Sequence, residues 1–447
     1  MDLDRHVDSR LRALAPGAAI RVGLSGGLDS VVLLDVLARL APPRGHAVGA
    51  LHVHHGLSPN ADAWEAFCRE LCAGRGIPIA VERVRVPRHA PEGLEAAARA
   101  ARYAAYRACG DPVVALAHHL DDQAETLLLQ LVRGTGLKGA SAMPELRVLA
   151  DGPVRLFRPL LGIRREALRA HALGRGLAWI EDESNASPGP DRNFIRHDVA
   201  PRLDARFPGW REAAARFARH AAQCEALLAE MARIDGAPER AGEGLRVEAR
   251  LPAARRANAL RAFLAMEGLP MPSAARLSEM ARQLYEARED ARVRIAHGGA
   301  TLVRHRGTVQ VAWVAPQGRG EAAWRIDWHG EAQVDLGPRR GHVRFERTTG
   351  AGLRLEAPFE SGEWHFAFRH GGERIRLDAA RPSRTLKNLL RESAVPEWER
   401  ERLPLLFHAQ RVAWVPGIGV AAEFACAPGM PGLVPAWCPP GRSGAGD

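Results

Sequence analysis

Along residues 1–135, short apolar runs alternate with stretches of helical period, and nothing else in the chain constrains its fold as tightly. The runs at 20–24, 47–53, 79–84 and 113–117 read as strands. Residues 30–40, 60–75 and 93–109 read as the helices between them, and 121–132 as the helix after the fourth strand. Alternation at this spacing predicts right-handed crossovers and a parallel sheet covered on both faces, an α/β Rossmann-like domain. Ligands of such sheets sit at the carboxyl ends of the strands. Three polar stretches fall there: SGGLDS after the first strand, HHGLS after the second and HHLDDQAET after the fourth.

The first of these suits an anion. Gly26 and Gly27 free successive backbone N–H groups at the start of a helix, where the positive end of its dipole lies. Ser25 and Ser30 add hydroxyls. Asp29 would repel a bare phosphate, so it either caps the helix or holds Mg²⁺ alongside phosphates. A tight turn with a capped helix is the alternative that needs no ligand. The stretch matches neither G-x-x-x-x-G-K-[ST] nor G-x-G-x-x-G, so it is neither a Walker loop nor a dinucleotide fingerprint.

Other polar groups gather at the neighbouring strand ends. Asp121, Asp122 and Glu125 open the helix after the fourth strand, with Asp121 and Glu125 on one face by their i,i+4 spacing. They suit a Mg²⁺ ion, an incoming ammonium group or proton abstraction; an acidic first turn facing the helix dipole is the structural alternative. His54, His55, His118 and His119 also stand at strand ends, but H-E-x-x-H spacing and a cysteine partner for zinc are both missing. Glu95, Arg99, Arg102 and Tyr103 share one helix, as an ion pair with a packed tyrosine or as contacts to a substrate. Arg192, Asn193 and Arg196 follow the polar loop EDESNASPGPDRN and suit phosphate or nucleotide contact, unless they open a solvated helix. Arg381, Arg384 and Lys387 lie on or beside a helix at PSRTLKNLLRES.

At 447 residues the chain is too long for one ordinary core. Residues 1–215 are expected to form the sheet domain and 216–318 a mainly helical middle domain. Residues 319–438 should form a smaller α+β domain, after a break at 314–323, and 439–447 a disordered Gly/Pro/Ser-rich tail. With 62 basic residues against 52 acidic ones, the net charge of +10 points to a polyanionic partner. Lys138 and Lys387 are the only lysines, an arginine bias that does not account for the excess of base over acid. Six scattered cysteines include no C-x-x-C pair, and Cys68 and Cys72 read as small apolar fillers of one helix. The N-terminus has no apolar h-region, and no apolar run approaches the roughly 20 residues of a membrane span. A cytoplasmic protein with no membrane partner is expected.

SGGLDS after a strand resembles the loop of the N-type ATP pyrophosphatases, the PP-loop superfamily, in which ATP is cut at the α-phosphate and pyrophosphate leaves. LHVHHGLS (51–58), EAAARAARYAAY (95–106), LAHHLDDQAETLLLQLVRGTG (116–136), RPLL (158–161), EDESN (181–185) and RNFIRH (192–197) follow in order. With residues 372–420, they resemble the tRNA(Ile)-lysidine synthetases over nearly the whole chain. Only the middle segment, roughly 216–315, matches by position and helical character alone.

The resemblance implies an enzyme that uses ATP and Mg²⁺ to adenylate C2 of the first anticodon cytidine of a CAU-bearing isoleucine tRNA. L-lysine then joins there, and AMP and pyrophosphate are released. It implies that Ser25, Gly26, Gly27, Leu28, Asp29 and Ser30, with His54 and His118, hold the nucleotide, Asp29 also taking Mg²⁺. His55, His119, Glu95, Arg99, Arg102, Arg192, Asn193 and Arg196 fall on the substrate side. Arg384 and Lys387 fall in a C-terminal domain that grips the acceptor arm, and Asp29, Asp121, Asp122 and Glu125 form the catalytic group. Another PP-loop tRNA-modifying enzyme, such as a 2-thiolation enzyme, is the rival, but paired cysteines would be expected of it. A non-enzymatic RNA-binding protein sits poorly with an intact Ser25, Asp29 and Ser30. The sequence leaves homodimerisation open.

Overall fold

The computed structural model describes residues 2–87, 90, 93–149, 153–181, 191–240, 242–248, 250–288, 291, 293–305, 307–313, 324–337, 340–354, 364–393, 395, 400 and 403–438, with the backbone alone for Glu95 and Trp313. The tail at 439–447, the break at 314–323 and most of the polar loop, 182–190, lie outside the described residues. The chain divides into two compact units, Met1–Leu227 and Leu228–Asp447.

In the first unit α1 (Leu3–Leu11) leads into β1 (Ile20–Gly23), α2 (Leu28–Leu40), β2 (Val48–His54), α3 (Ala61–Ala73), β3 (Ile79–Arg83) and α4 (Leu94–Ala108). Then come β4 (Val113–Ala115), α5 (Leu120–Val132), α6 (Leu137–Ala140), β5 (Leu146–Val148), β6 (Arg155–Phe157) and α7 (Arg165–Gly174). The first four strands, and the helices that follow them, end within one or two residues of their expected places. They form a six-stranded sheet of order β3-β2-β1-β4-β6-β5, parallel except for β5 against β6. The chain steps outward from β1 to β3, then crosses back to place β4 on the other side of β1. Loops leaving β1 and β4 therefore diverge and open a crevice at their carboxyl ends.

α2 is apolar on nearly every side because it lies against the sheet with α1 and α7 packed on it. Val31, Val32, Leu33, Leu34, Val36 and Leu37 are each at most 2% exposed. The one aspartate buried with them, Asp35, is matched by Arg39 (3.3 Å), His171 (3.3 Å) and Arg175 (3.5 Å), which offsets the cost of burying its charge. After the undescribed segment the unit continues with α8 (Asp191–Phe194), a π-helical turn at Ile195–Val199 and α9 (Ala200–Arg206). The long α10 (Trp210–Ile234) carries the boundary between the units.

In the second unit, α11 (Ala253–Met266) and α12 (Ala274–Glu286) share a core with a sheet of order β7-β10-β9-β8. Its strands are β7 (Leu245–Arg246), β8 (Arg294–His297), β9 (Ala300–His305) and β10 (Thr308–Trp313). Farther on, a five-stranded and a four-stranded antiparallel sheet enclose a second core with α13 (Leu386–Glu392), the helix expected at PSRTLKNLLRES. Trp328 is fully buried there, stacked on Phe345 at 4.0 Å between ring centroids. Among the described residues no helix is long and apolar enough to cross a membrane.

Truncating the middle of α2 should be costly, since no solvent-facing side is available to relax into. Leu34→Ala is expected to lower the unfolding free energy by about 2–5 kcal/mol in urea titration. A loss below about 1 kcal/mol would show that the helix is not packed in this way.

Candidate active site

The SGGLDS loop joins β1 to α2 at the crevice. Gly27 is the N-cap of α2 and no side chain caps it, so Asp29 is not a capping residue. Gly26 has φ +87°, and a Cβ there would stand 2.8 Å from the Cδ1 of Ile180. Ile180 forms the back of the loop: its N–H donates to Gly26 O at 2.9 Å, and it bridges to Gly27. The Ser30 hydroxyl donates to Gly27 O (2.9 Å), which leaves the Ser25 hydroxyl to donate to Ser30 Oγ (3.1 Å) while accepting from Gly27 N–H (3.3 Å). Both serines thus fix the turn. The first-turn N–H groups of α2 have no intrahelical acceptor and face outward from its positive end.

Opposite the loop, α5 follows β4 after four residues, with His119 as its N-cap. His119 is 2% exposed and has three carboxylates around its ring: Asp122 at 3.4 Å, Asp121 at 3.6 Å and Asp29 at 3.7 Å. Burial disfavours its charged form, but Asp122, Asp29 and Asp121 outweigh it and raise the pKa. His119 therefore ties the phosphate loop to the start of α5 electrostatically. Burial likewise works against ionised Asp122, but His119 and Arg192 outweigh it and hold that carboxyl at about 2.

Each carboxylate has a different set of partners. Asp121 accepts the Arg165 backbone N–H at 2.9 Å and pairs with Arg211 Nε at 2.7 Å, so it fastens α7 and α10 to α5. Asp122 and Glu125 are gripped by Arg192 and Arg196 at 2.8–3.1 Å. Asp29 Oδ1 is buried and accepts no hydrogen bond; its nearest cation is Arg165 Nε at 3.6 Å. The two arginines do not open a solvated helix. Both are half-buried, drawn inward by the acidic pair they neutralise, and Asn193 between them is buried.

The histidines differ as sharply. Burial pushes His118 down to about 3 and His55, also facing the Arg102 charge, down to about 4. Both rings are neutral near pH 7, and the Nδ1 of each is buried without a hydrogen-bond partner. His54 instead contacts Asp62 through Nε2 at 3.1 Å. On α4, Arg99 donates to the Tyr103 hydroxyl at 2.6 Å and lies over its ring, the packed-tyrosine arrangement. Arg102 is exposed, and the Glu95 side chain lies outside the described residues. Arg384 and Lys387 belong to the second unit, where Arg384 pairs with Glu392 and Lys387 is exposed.

The sequence reading missed Ile180, Arg165 and Arg211. Their partners are distant in the chain and none stands in an unusual local pattern; only the adjacent EDESN motif hinted at Ile180. Cys68 and Cys72 are buried as expected, and burial drives the Cys68 thiol up to about 12, far from the reactive range.

Two outcomes follow from this geometry. Gly26→Ala must combine a left-handed backbone with a contact on Ile180, so a loss of about 1–3 kcal/mol is expected, read by thermal unfolding. Stability should also depend on pH through His55 and His118. Their folded values lie below the ordinary 6.5, so the unfolded chain gains protons first. Their contribution is complete above pH 6.5 and is lost as pH falls towards 4, at up to about 1.4 kcal/mol per pH unit for each group. Urea titrations between pH 7 and 5 should show this slope, and His118→Asn should flatten it. An unchanged slope would mean that His118 is not buried in neutral form.

Comparison with known proteins agrees with this architecture. A PP-loop domain model matches residues 3–203, a TilS substrate binding domain model 249–310 and a TilS substrate C-terminal domain model 365–437. The tRNA(Ile)-lysidine synthase of Azoarcus sp. strain BH72 is 44% identical over 96% of this chain and 94% of its own. That of Aromatoleum aromaticum is 42% identical, over 95% and 98%, and that of Nitrosomonas europaea 38%, over 96% and 94%. Likeness of this extent, carried from the phosphate loop to the last strands, places the chain in the tRNA(Ile)-lysidine synthase family.

Proposed function

We infer that the protein is a cytoplasmic ATP-dependent ligase that joins L-lysine to C2 of the first anticodon cytidine in a CAU-bearing isoleucine tRNA. The observation that carries the reading is the meeting of the SGGLDS loop with Asp122 and Glu125 at the β1–β4 crevice. One side binds anions and the other binds cations. The reaction needs both, since a polyphosphate and an ammonium group must come to the same base.

The chemistry has two displacements. The cytosine C2 oxygen attacks the α-phosphorus and pyrophosphate leaves; the lysine ammonium gives up a proton to solvent, and its free amine nitrogen attacks C2 as AMP leaves. The loop N–H groups of α2 would hold the departing pyrophosphate. Asp122 stays ionised down to about pH 2, which suits a counter-ion for the lysine ammonium better than a base. Neutral His55 and His118, each with a buried Nδ1 lacking a hydrogen-bond partner, would suit uncharged atoms of base or ribose. Asp121, with both oxygens engaged, would act by positioning α5.

Magnesium fits this donor set. Asp29 Oδ1 is a buried carboxylate oxygen without a hydrogen-bond donor, beside the phosphate loop, where a hard cation is suited. Bound there, Mg²⁺ would neutralise part of the polyphosphate charge. The net charge of +10 and the exposed Lys387 and Arg391 of α13 support RNA as the macromolecular partner, with the second unit gripping its acceptor arm.

Labelled lysine, Mg-ATP and two transcripts with CAU anticodons test the reading. Lysine should enter the isoleucine tRNA and not the methionine tRNA, and Asp29→Ala should cut the rate about a hundredfold or more. Equal labelling of both transcripts would remove the specificity, and labelling of neither would remove the assignment.

A further inference from the structure

The acidic end of the crevice is already full of cations. Arg192 donates through Nε to Glu125 Oε2 and through Nη2 to Asp122 Oδ1, each at 2.9 Å. Arg196 donates through Nε to Glu125 Oε1 at 2.8 Å, and through Nη2 to Glu125 Oε2 at 2.9 Å and Asp122 Oδ1 at 3.1 Å. The remaining oxygen, Asp122 Oδ2, accepts the His119 backbone N–H at 3.0 Å. The side chains of Glu125 and Asp122 are only 4% and 12% exposed. Three of the four oxygens of the pair accept from a guanidinium, so an ammonium group must compete with the arginines for them.

The segment carrying these arginines is irregular. Arg192 sits on the four-residue α8, and Arg196 lies inside the π-helical turn, closed by Ala200 N–H to Ile195 O. A π turn holds one residue more than an α turn, and such turns are rare inside helices. Its reversion to α would rotate the preceding segment by about 100° for the residue given up, and both arginines would swing with it. The phosphate loop is close by: His119 Nε2 lies 3.4 Å from Asp122 and 3.7 Å from the Asp29 carboxylate of that loop.

We propose that Arg192 and Arg196 are gating residues that occupy the amine subsite until a polyphosphate at the SGGLDS loop draws them away. This rests on the reading of the crevice as a site for ATP and an amine. Binding is then ordered by electrostatics: the nucleotide exposes Asp122 and Glu125, and only then does the lysine ammonium have a counter-ion. Coupling of this kind is reciprocal, so lysine tightens the nucleotide by the same factor.

Equilibrium dialysis of labelled L-lysine against the full chain, with and without α,β-methylene-ATP and Mg²⁺, measures that factor. The wild type should bind lysine about tenfold or more tightly with the analogue present. In Arg192→Gln and Arg196→Gln the free protein should bind lysine more tightly than the free wild type, with the factor falling towards one. Arg192→Lys keeps a cation there and should restore part of it. A merely structural arginine would weaken lysine binding in both states and leave the factor unchanged, which overturns the proposal. So does equal lysine affinity of the free and nucleotide-bound wild type. Hydrogen exchange across 191–199 of the wild type needs no variant to fold and no lysine to bind. Faster exchange on adding the analogue supports release of the arginines, and unchanged exchange overturns it. If exchange quickens but lysine binds in no state, the gate stands and the amine reading falls.

Discussion

The structure depends on the place where two helix N-termini, those of α2 and α5, face one crevice. The strand order forces this: β4 returns to the far side of β1, so the two loops part above the sheet and their helices begin on either side of the gap. Each N-terminus brings a positive dipole end, which alone would make the crevice a pure anion site. The chain counters both with charge, the first by Asp29 in the first turn of α2. Asp121 and Asp122 stand in the first turn of α5, with Glu125 one turn on, and Asp122, Asp121 and the loop's Asp29 raise the pKa of His119 between α5 and the phosphate loop.

From this balance comes the division of labour among residues that look alike in the sequence. Four carboxylates face the gap, but one anchors helices, two hold arginines, and one keeps an oxygen without a hydrogen bond. The histidines separate in the same way: neighbouring carboxylates raise the pKa of His119, and burial keeps His55 and His118 neutral. Residue type allowed several roles for each group; surroundings assign the role.

The sheet was readable from the sequence because its signals are local. Each early strand is a short apolar run, and the polar stretches that interrupt the pattern fall at carboxyl ends. Strands β5 and β6 escaped notice because LRV and RLF, three residues each, are too short to show a period. The loop, the histidines and the acidic turn were also readable, each as a compact motif. Their partners were not. Arg192 and Arg196 read as phosphate or nucleotide contacts or as a solvated helix start, and their grip on Asp122 and Glu125 spans about 70 residues of chain. Arg211 reaches Asp121 over an even longer separation. Such pairs leave no periodic trace, since their spacing is set by the fold.

Ile180 carries a consequence for the order in which the protein becomes able to bind. The phosphate loop, at residues 25–30, is made about 150 residues ahead of the strand-like bridge behind it, which comes from residue 180. A nascent chain that has released β1 and α2 has the glycines and serines of the loop and not the wall that fixes their backbone. Nucleotide affinity should therefore arise late and abruptly, once α7 and the segment after it have emerged. A growing chain would thus pass through a long stretch of synthesis with its most recognisable motif present and inert.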